Sequence, residues 1–183
     1  MQKKKTGPTT GIFPMPCAIV STGISSGERN IATVSYVGVV NGQPPMVSIS
    51  LRPSRHSHGK VISAEVFGIN IPTIDMLPET DLAGTISGKD QDKFEKLGLT
   101  PFFGEETDVA LIAECPINLE CKLSKTIELP THTVFIGRVM QTYLDDEYVI
   151  DGKLALAEGK VPCYGANNYW AVGKNITALR KPH

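Results

Sequence analysis

The sequence predicts a mainly β protein, an antiparallel barrel with short peripheral helices. Many short apolar runs are bounded by turn residues, long helical stretches are few, and strands and helices do not alternate as a doubly wound sheet requires. At 183 residues and 41% hydrophobic content, one core is expected, because a domain of about 150 residues already buries roughly 68–70% of its unfolded surface. A single domain over residues 1–183 is the default.

In chain order, residues 16–21 read as a buried strand, and the turn Gly23-Ile24-Ser25-Ser26-Gly27 leads into a second strand over about 29–40, together a hairpin. After the turn Asn41-Gly42-Gln43-Pro44-Pro45, residues 46–51 alternate apolar with hydroxyl, a third strand that makes a three-stranded meander. Residues 57–64 form a short helix with Ser54 or Ser57 as its N-cap, and 66–71 are strand-like until Pro72 stops them. A helix is predicted over 75–83, and 92–98 carry the pattern of a short helix closed by Gly98. The cleanest period of two runs over 111–129, with Glu114, Asn118, Glu120 and Lys122 on one face and Cys115, Ile117, Leu119 and Cys121 on the other. Residues 132–143 repeat it, and 154–156 and 164–172 supply weaker C-terminal strands.

A formal net charge of −1 gives no basic field for nucleic acid. No apolar run approaches the roughly 20 residues that span a bilayer. The basic start Met1-Gln2-Lys3-Lys4-Lys5 is followed by Thr6-Gly7-Pro8-Thr9-Thr10 and not by an apolar h-region. A cytoplasmic protein without nucleic-acid or membrane partners is expected. Cys17, Cys115, Cys121 and Cys163 match neither zinc-pair nor CxxC spacing, so reduced thiols serving as small buried hydrophobes are expected.

Two segments carry the chemistry. Asn30-Ile31-Ala32-Thr33-Val34-Ser35-Tyr36 sets small and hydroxyl side chains on a segment otherwise built as a strand, and Leu51-Arg52-Pro53-Ser54-Arg55-His56-Ser57 gathers arginines, a histidine and serines where a strand stops and a helix begins. Alone, Arg52 and Arg55 read as a solvated loop pair; between Ser50, Ser54 and Ser57 they point to a phosphate monoester. Charge-assisted hydrogen bonds are worth about 1.5–3 kcal/mol each, and the helix start adds its positive end.

Other motifs fail on spacing. In Gly84-Thr85-Ile86-Ser87-Gly88-Lys89 the glycines stand one residue too close for a P-loop, and Asp90 occupies the Ser/Thr position. No GxGxxG follows a predicted strand, His56, His58 and His132 lack a carboxylate at helical spacing to complete a metal site, and GxSxG is absent. His132, at the start of a strand, is either a half-buried hydrogen-bonded histidine or a neighbour of a cofactor ring.

The chain resembles the flavin reductase-like family of FMN-binding split barrels, including flavoredoxin-type proteins. The matching pieces run in order: Pro16-Cys17-Ala18-Ile19-Val20-Ser21-Thr22, Asn30-Ile31-Ala32-Thr33-Val34-Ser35, Pro44-Pro45-Met46-Val47, Pro53-Ser54-Arg55-His56-Ser57, Phe67-Gly68-Ile69-Asn70, Ser87-Gly88, Asp92-Lys93-Phe94 and His132-Thr133-Val134-Phe135-Ile136-Gly137-Arg138-Val139. Each is weak alone; their order makes the set specific. The resemblance implies FMN, with Ala32, Thr33, Val34 and Ser35 along the ring and ribityl chain, and Ser50, Leu51 and Arg52 at the strand end beside it. Ser54, Arg55, His56 and Ser57 would hold the phosphate, Lys93 and Phe94 would lie near the flavin, and Trp170 with Tyr169 would cover it. It implies a homodimer and hydride or electron chemistry carried by the flavin itself, which accounts for the absence of a nucleophile or acid–base pair. NAD(P)H as co-substrate and a redox-protein partner remain the two alternatives for the electron donor.

Overall fold

The computed structural model describes residues 1–150, 153–154 and 160–174. In order, its elements are β1 (Met15–Pro16), β2 (Ala18–Thr22), β3 (Asn30–Val34), β4 (Val37–Asn41), β5 (Met46–Leu51), α1 (His56–Ala64) and β6 (Val66–Ile71). After a 3-10 turn at Ile74–Met76 come α2 (Leu77–Thr85), α3 (Lys93–Leu97), β7 (Pro101–Phe103), β8 (Ala110–Ile112), β9 (Ile117–Glu128) and β10 (Thr133–Leu144). The chain continues through β11 (Val149–Ile150), β12 (Lys153–Leu154), β13 (Pro162–Gly165) and β14 (Asn168–Ala171).

Seven strands form one antiparallel sheet in the order β3-β2-β6-β9-β10-β5-β4, and β1-β13-β14 form a small second sheet. The large sheet curls until its two edge strands, β3 and β4, are joined by only the Ser35–Tyr36 link, and Ser50 N–H, donating to the Tyr36 carbonyl over 2.9 Å, extends the β4–β5 ladder up to that link. This is the mainly β, antiparallel fold with few helices that the strand pattern predicts.

β2 reads as a continuous apolar run because both its faces are buried. Ala18 and Val20 join the barrel core with Ile49, Phe67 and Phe135, while Ile19 faces a second core with Ile31, Phe94 and Ile112. That second core seats α2 and α3. Asp92 caps α3 by accepting from the Phe94 and Glu95 N–H groups, and Gly98 at φ 65° closes it in the left-handed conformation that glycine adopts without strain. Gly137, in the bulged stretch of β10, is required by packing: a Cβ there would lie 2.5 Å from Phe67 Cζ.

The structure corrects several expectations. Residues 29–40 are two strands, β3 and β4, broken at Ser35–Tyr36. The hairpins β2-β3 and β4-β5 exist, but they occupy opposite ends of the sheet, so the chain makes no three-stranded meander. The break is where the sheet closes on itself. The N-cap of α1 is Arg55, with no side-chain cap, and not Ser54 or Ser57. Residues 111–129 divide into β8 and β9 at a turn in which Cys115 N–H donates to the Ile112 carbonyl.

The polar face of β9 is also buried where it starts. Asn118 donates to Asn70 Oδ1 and to the Ile112 carbonyl, and Glu120 is fully buried while accepting from the Glu106 and Thr107 N–H groups, the Thr107 hydroxyl and the Tyr143 hydroxyl. At the C-terminus, Leu154 lies in β12 and the 164–172 stretch in β13 and β14, whereas 155–156 lie outside the described residues. All four cysteines are buried and form no disulfide. Burial pushes the Cys17 thiol up to about 11, and raises Cys115 and Cys121 further. Among the described residues, no helix is long and apolar enough to cross a membrane.

Candidate functional site

A cleft of about 1090 Å³ opens between β3, the β5–α1 junction and α2 with the turn that follows it. The N-terminal arm at Thr9–Phe13 and the β13–β14 hairpin form its far wall. β3 supplies Ala32, Thr33 and Val34, with Ser35 just after it. Thr33 is fixed by donating its hydroxyl to the Thr80 carbonyl of α2, and a Cβ at Gly84 would stand 3.1 Å from Thr33 Cβ, so the bare backbone there lets helix and strand approach.

The β5–α1 junction supplies Ser50, Leu51, Arg52, Ser54, Arg55, His56 and Ser57. With no side-chain cap and no acidic residue in the first turn of α1, the positive end of the helix is left uncompensated. Ser57 is buried and its hydroxyl accepts from Asn30 Nδ2 over 2.7 Å, which orients the Asn30 amide. Asn30 Oδ1 is then buried at the cleft without a hydrogen-bond partner among the described residues. Gly88 closes over it: a Cβ there would lie 1.9 Å from that oxygen.

Lys93 reaches the cleft floor from α3, buried, with Nζ donating to the Ile31 carbonyl at 2.8 Å and the Ala83 carbonyl at 2.7 Å. Burial, with Arg55 nearby, lowers its pKa to about 8. Behind α1, Glu28 holds His56 at 3.2 Å and Lys60 at 2.9 Å, and the hydrogen bonds from these two draw its pKa below the ordinary carboxylate value.

Phe94 and Trp170, expected beside the cofactor, do not line the cleft. Phe94 is buried in the second core with the Arg29 guanidinium 5.6 Å from its ring centroid, because the helical turn that brings Lys93 to the cleft points its neighbour into the protein. Trp170 is half exposed; its Nε1–H donates to the Gly165 carbonyl, and its ring meets Phe13 edge-on at 5.5 Å. Its neighbour Tyr169 lines the cleft and donates its hydroxyl to Asp81 Oδ1 at 3.0 Å. Burial, followed by that carboxylate, raises the Tyr169 pKa far above the ordinary phenol value. His132 also lines the cleft, its ring 5.3 Å from that of Tyr36 and its Nδ1 2.9 Å from the Thr131 hydroxyl.

Asp81 and the Thr9–Phe13 arm escape the sequence-based site, while Asn30 and Gly88 lie in segments the sequence singles out but receive no site role there. Asn30 carries a readable sign, a polar residue opening an apolar strand; the arm carries none, since its place depends on the distant β13–β14 hairpin.

Residues 10–162 match the family model of the flavin reductase like domain. The flavoredoxin of Desulfovibrio vulgaris (Miyazaki F) is similar in structure, with a TM-score of 0.89 and 31% identity over 97% of each chain. Flavoredoxin from Methanosarcina acetivorans gives a TM-score of 0.91 and 30% identity, covering 99% of this chain and 97% of that one. An uncharacterised protein of Archaeoglobus fulgidus is 30% identical over 142 residues, 78% of each chain. A family-model match across most of its length shows that the chain belongs to the flavin reductase-like family.

Proposed function

We propose that the protein is an FMN-binding oxidoreductase, working as one flavin reductase-like domain. The observation that carries this reading is the β5–α1 junction, where Arg52, Arg55, His56 and the uncapped start of α1 face one cleft. That donor set suits a phosphate dianion. Asn30 Oδ1, without a partner among the described residues, adds a fixed acceptor for a sugar-alcohol hydroxyl, and β3 offers an apolar and hydroxyl wall of the kind a flat ring system needs.

Bound FMN supplies the hydride and electron chemistry. The chain's own groups bind and orient. Arg52 and Arg55 would present forked N–H donors to phosphate oxygens beside His56, whose Nε2 is held by Glu28, and Lys93 would add positive charge. Ala32, Thr33 and Val34 would hold the flavin ring, with Tyr36 and His132 lining the same cleft. No side chain is required as a nucleophile.

Two electron donors are compatible with that cleft. NAD(P)H is the first. The likeness to two flavoredoxins at 30% identity or more, over nearly the whole chain, favours the second, a redox-protein partner. Purified protein reconstituted with FMN is expected to be yellow and to release FMN on denaturation. Anaerobic NAD(P)H bleaches the band near 450 nm, about the value for any oxidised flavin, if a nicotinamide is the donor; bleaching by a reduced ferredoxin alone supports the flavoredoxin-like reading. Protein that binds no FMN sinks both. A homodimer is part of the proposal, supported by Val39 and Val40, exposed on the edge strand β4, and sedimentation checks it.

A further inference from the structure

Thr33 brings a hydroxyl to the cleft whose hydrogen is already used. Its Oγ1 donates to the Thr80 carbonyl of α2, and because a carbonyl only accepts, the one hydroxyl proton is committed to the helix. Gly84 makes room for the contact: a Cβ there would stand 3.1 Å from Thr33 Cβ. Thr80 is fully buried, which keeps water from competing for its carbonyl. What Thr33 can still offer a ligand is the lone pairs of its oxygen. Asn30, at the start of the same strand, repeats the pattern, since its Nδ2 donates to Ser57 and the atom left open at the cleft is the acceptor Oδ1. At both positions the side chain presents an acceptor and withholds its donor.

A flavin differs between its redox states in the hydrogens its nitrogens carry. In the oxidised ring N5 is bare and can only accept. On reduction N5 takes the hydride equivalent, two electrons and a proton from the nicotinamide or the redox-protein donor, while N1 keeps a negative charge or takes a second proton from water. N5 is then an N–H donor. We propose that Thr33 Oγ1 accepts from this N5–H, so that one side chain favours the reduced ring and raises its potential. The inference rests on the flavin reading and adds to it a contact made in one redox state alone. Placement along β3 supports the pairing. Asn30 and Ser57 mark the phosphate end of the cleft, and Thr33 lies three residues farther along the strand, about 10 Å at roughly 3.3 Å per residue, where an extended ribityl arm delivers the middle ring. Against the oxidised ring Thr33 sets lone pair to lone pair. To donate there instead it would have to abandon the Thr80 carbonyl, the contact that the bare Gly84 backbone admits. A hydrogen bond formed in only one of two states shifts their equilibrium by its net worth.

FMN bound to wild-type protein, Thr33→Val and Thr33→Ser can be brought to redox equilibrium with a dye of known potential. Thr33→Val keeps the shape and loses the acceptor, so its ratio of reduced to oxidised FMN affinity should fall about threefold to tenfold, roughly 15–30 mV for two electrons. Thr33→Ser keeps the hydroxyl and should stay within about twofold of wild type. 5-Deaza-FMN has carbon in place of N5 and gains no N–H there on reduction; with it the three proteins should agree within about twofold. Wild-type protein alone supplies a further measurement: reduced FMN labelled with heavy nitrogen at N5 should show an N5–H resonance that exchanges with water more slowly than in free reduced FMN. An unchanged ratio in Thr33→Val, a fall that serine does not restore or that 5-deaza-FMN reproduces, or an N5–H that exchanges as in free FMN overturns the contact. Should the valine variant fail to fold, the exchange measurement on wild type decides. FMN titration beforehand separates the outcomes: protein that takes up FMN yet fails these tests loses only the Thr33 assignment, and protein that takes up none loses the flavin reading itself.

Discussion

Asn30 Nδ2 and Ser57 Oγ lie 2.7 Å apart, a buried hydrogen bond joining the first residue of β3 to the first turn of α1. It fixes the Asn30 amide, so that Oδ1 sits at the cleft under Gly88 without a partner among the described residues. Gly88→Ala drives a methyl into that oxygen, and the Ser57 bond prevents the amide from turning aside. FMN affinity is expected to fall about tenfold or more, with about 1–3 kcal/mol lost in stability, read by flavin fluorescence titration and thermal melting. An alanine variant that binds FMN like wild type would place Asn30 outside the ligand's reach.

Arg55 stands at the N-cap of α1 and lines the cleft. Arg55→Ala removes a charge-assisted contact to phosphate and should cost FMN about 1.5–3 kcal/mol, roughly tenfold to more than a hundredfold in dissociation constant. Riboflavin lacks the phosphate, so its affinity should hardly move. Parallel losses for both ligands would mean that Arg55 acts on the fold of the junction and not on the phosphate.

What the sequence reveals and conceals follows from the range of each interaction. Local rules find the closing Gly98 of α3, the β2–β3 hairpin and the cationic β5–α1 junction, because a few adjacent residues decide them. The break at Ser35–Tyr36 has no local cause, since it answers to pairing elsewhere: β3 pairs with β2 and β4 with β5, at opposite edges of the sheet. Trp170 illustrates the same limit: aromatic content is visible in the chain, but its contact with Phe13 depends on a pairing across the whole sequence. Period-two reasoning places Asn118 and Glu120 on one face of β9 and calls that face polar, yet it cannot know that the Gly104–Asp108 loop and Asn70 bury it.

Glu120 accepts from the Glu106 and Thr107 N–H groups and from the Thr107 and Tyr143 hydroxyls, and so anchors the loop after β7 to β9 and β10. Glu120→Ala leaves those part-buried donors without their shared acceptor and should cost about 3 kcal/mol or more. Glu120→Gln retains one carbonyl oxygen and a Tyr143 hydroxyl free to reverse, and should cost about 1–2 kcal/mol. None of these contacts lines the cleft, so the glutamine variant should bind FMN as wild type does. Urea denaturation gives the first pair of values and flavin titration the last; a glutamine variant as unstable as the alanine one would show that the charge itself holds the loop.

Lys93 couples the site to pH. Burial and the nearby Arg55 lower its pKa to about 8, so in the free protein it loses its proton as pH rises through that value. An FMN dianion favours the charged amine, and its affinity should therefore weaken above about pH 8, by up to about tenfold per pH unit until the bound-state pKa is passed. Below roughly pH 6 the phosphate itself takes up a proton, which sets a second limb and leaves tightest binding between the two values. Stability of the free chain runs the other way. The unfolded lysine keeps its proton up to its ordinary value near 10.4, so across that window the unfolded state binds more protons and folding stability rises with pH. Lys93→Met removes the charge and should flatten the alkaline limb for FMN, while riboflavin, lacking phosphate, should show little of it in either protein. Dissociation constants measured from pH 5.5 to about 9.5 test this, and an alkaline limb that survives in Lys93→Met would assign the titration to another group.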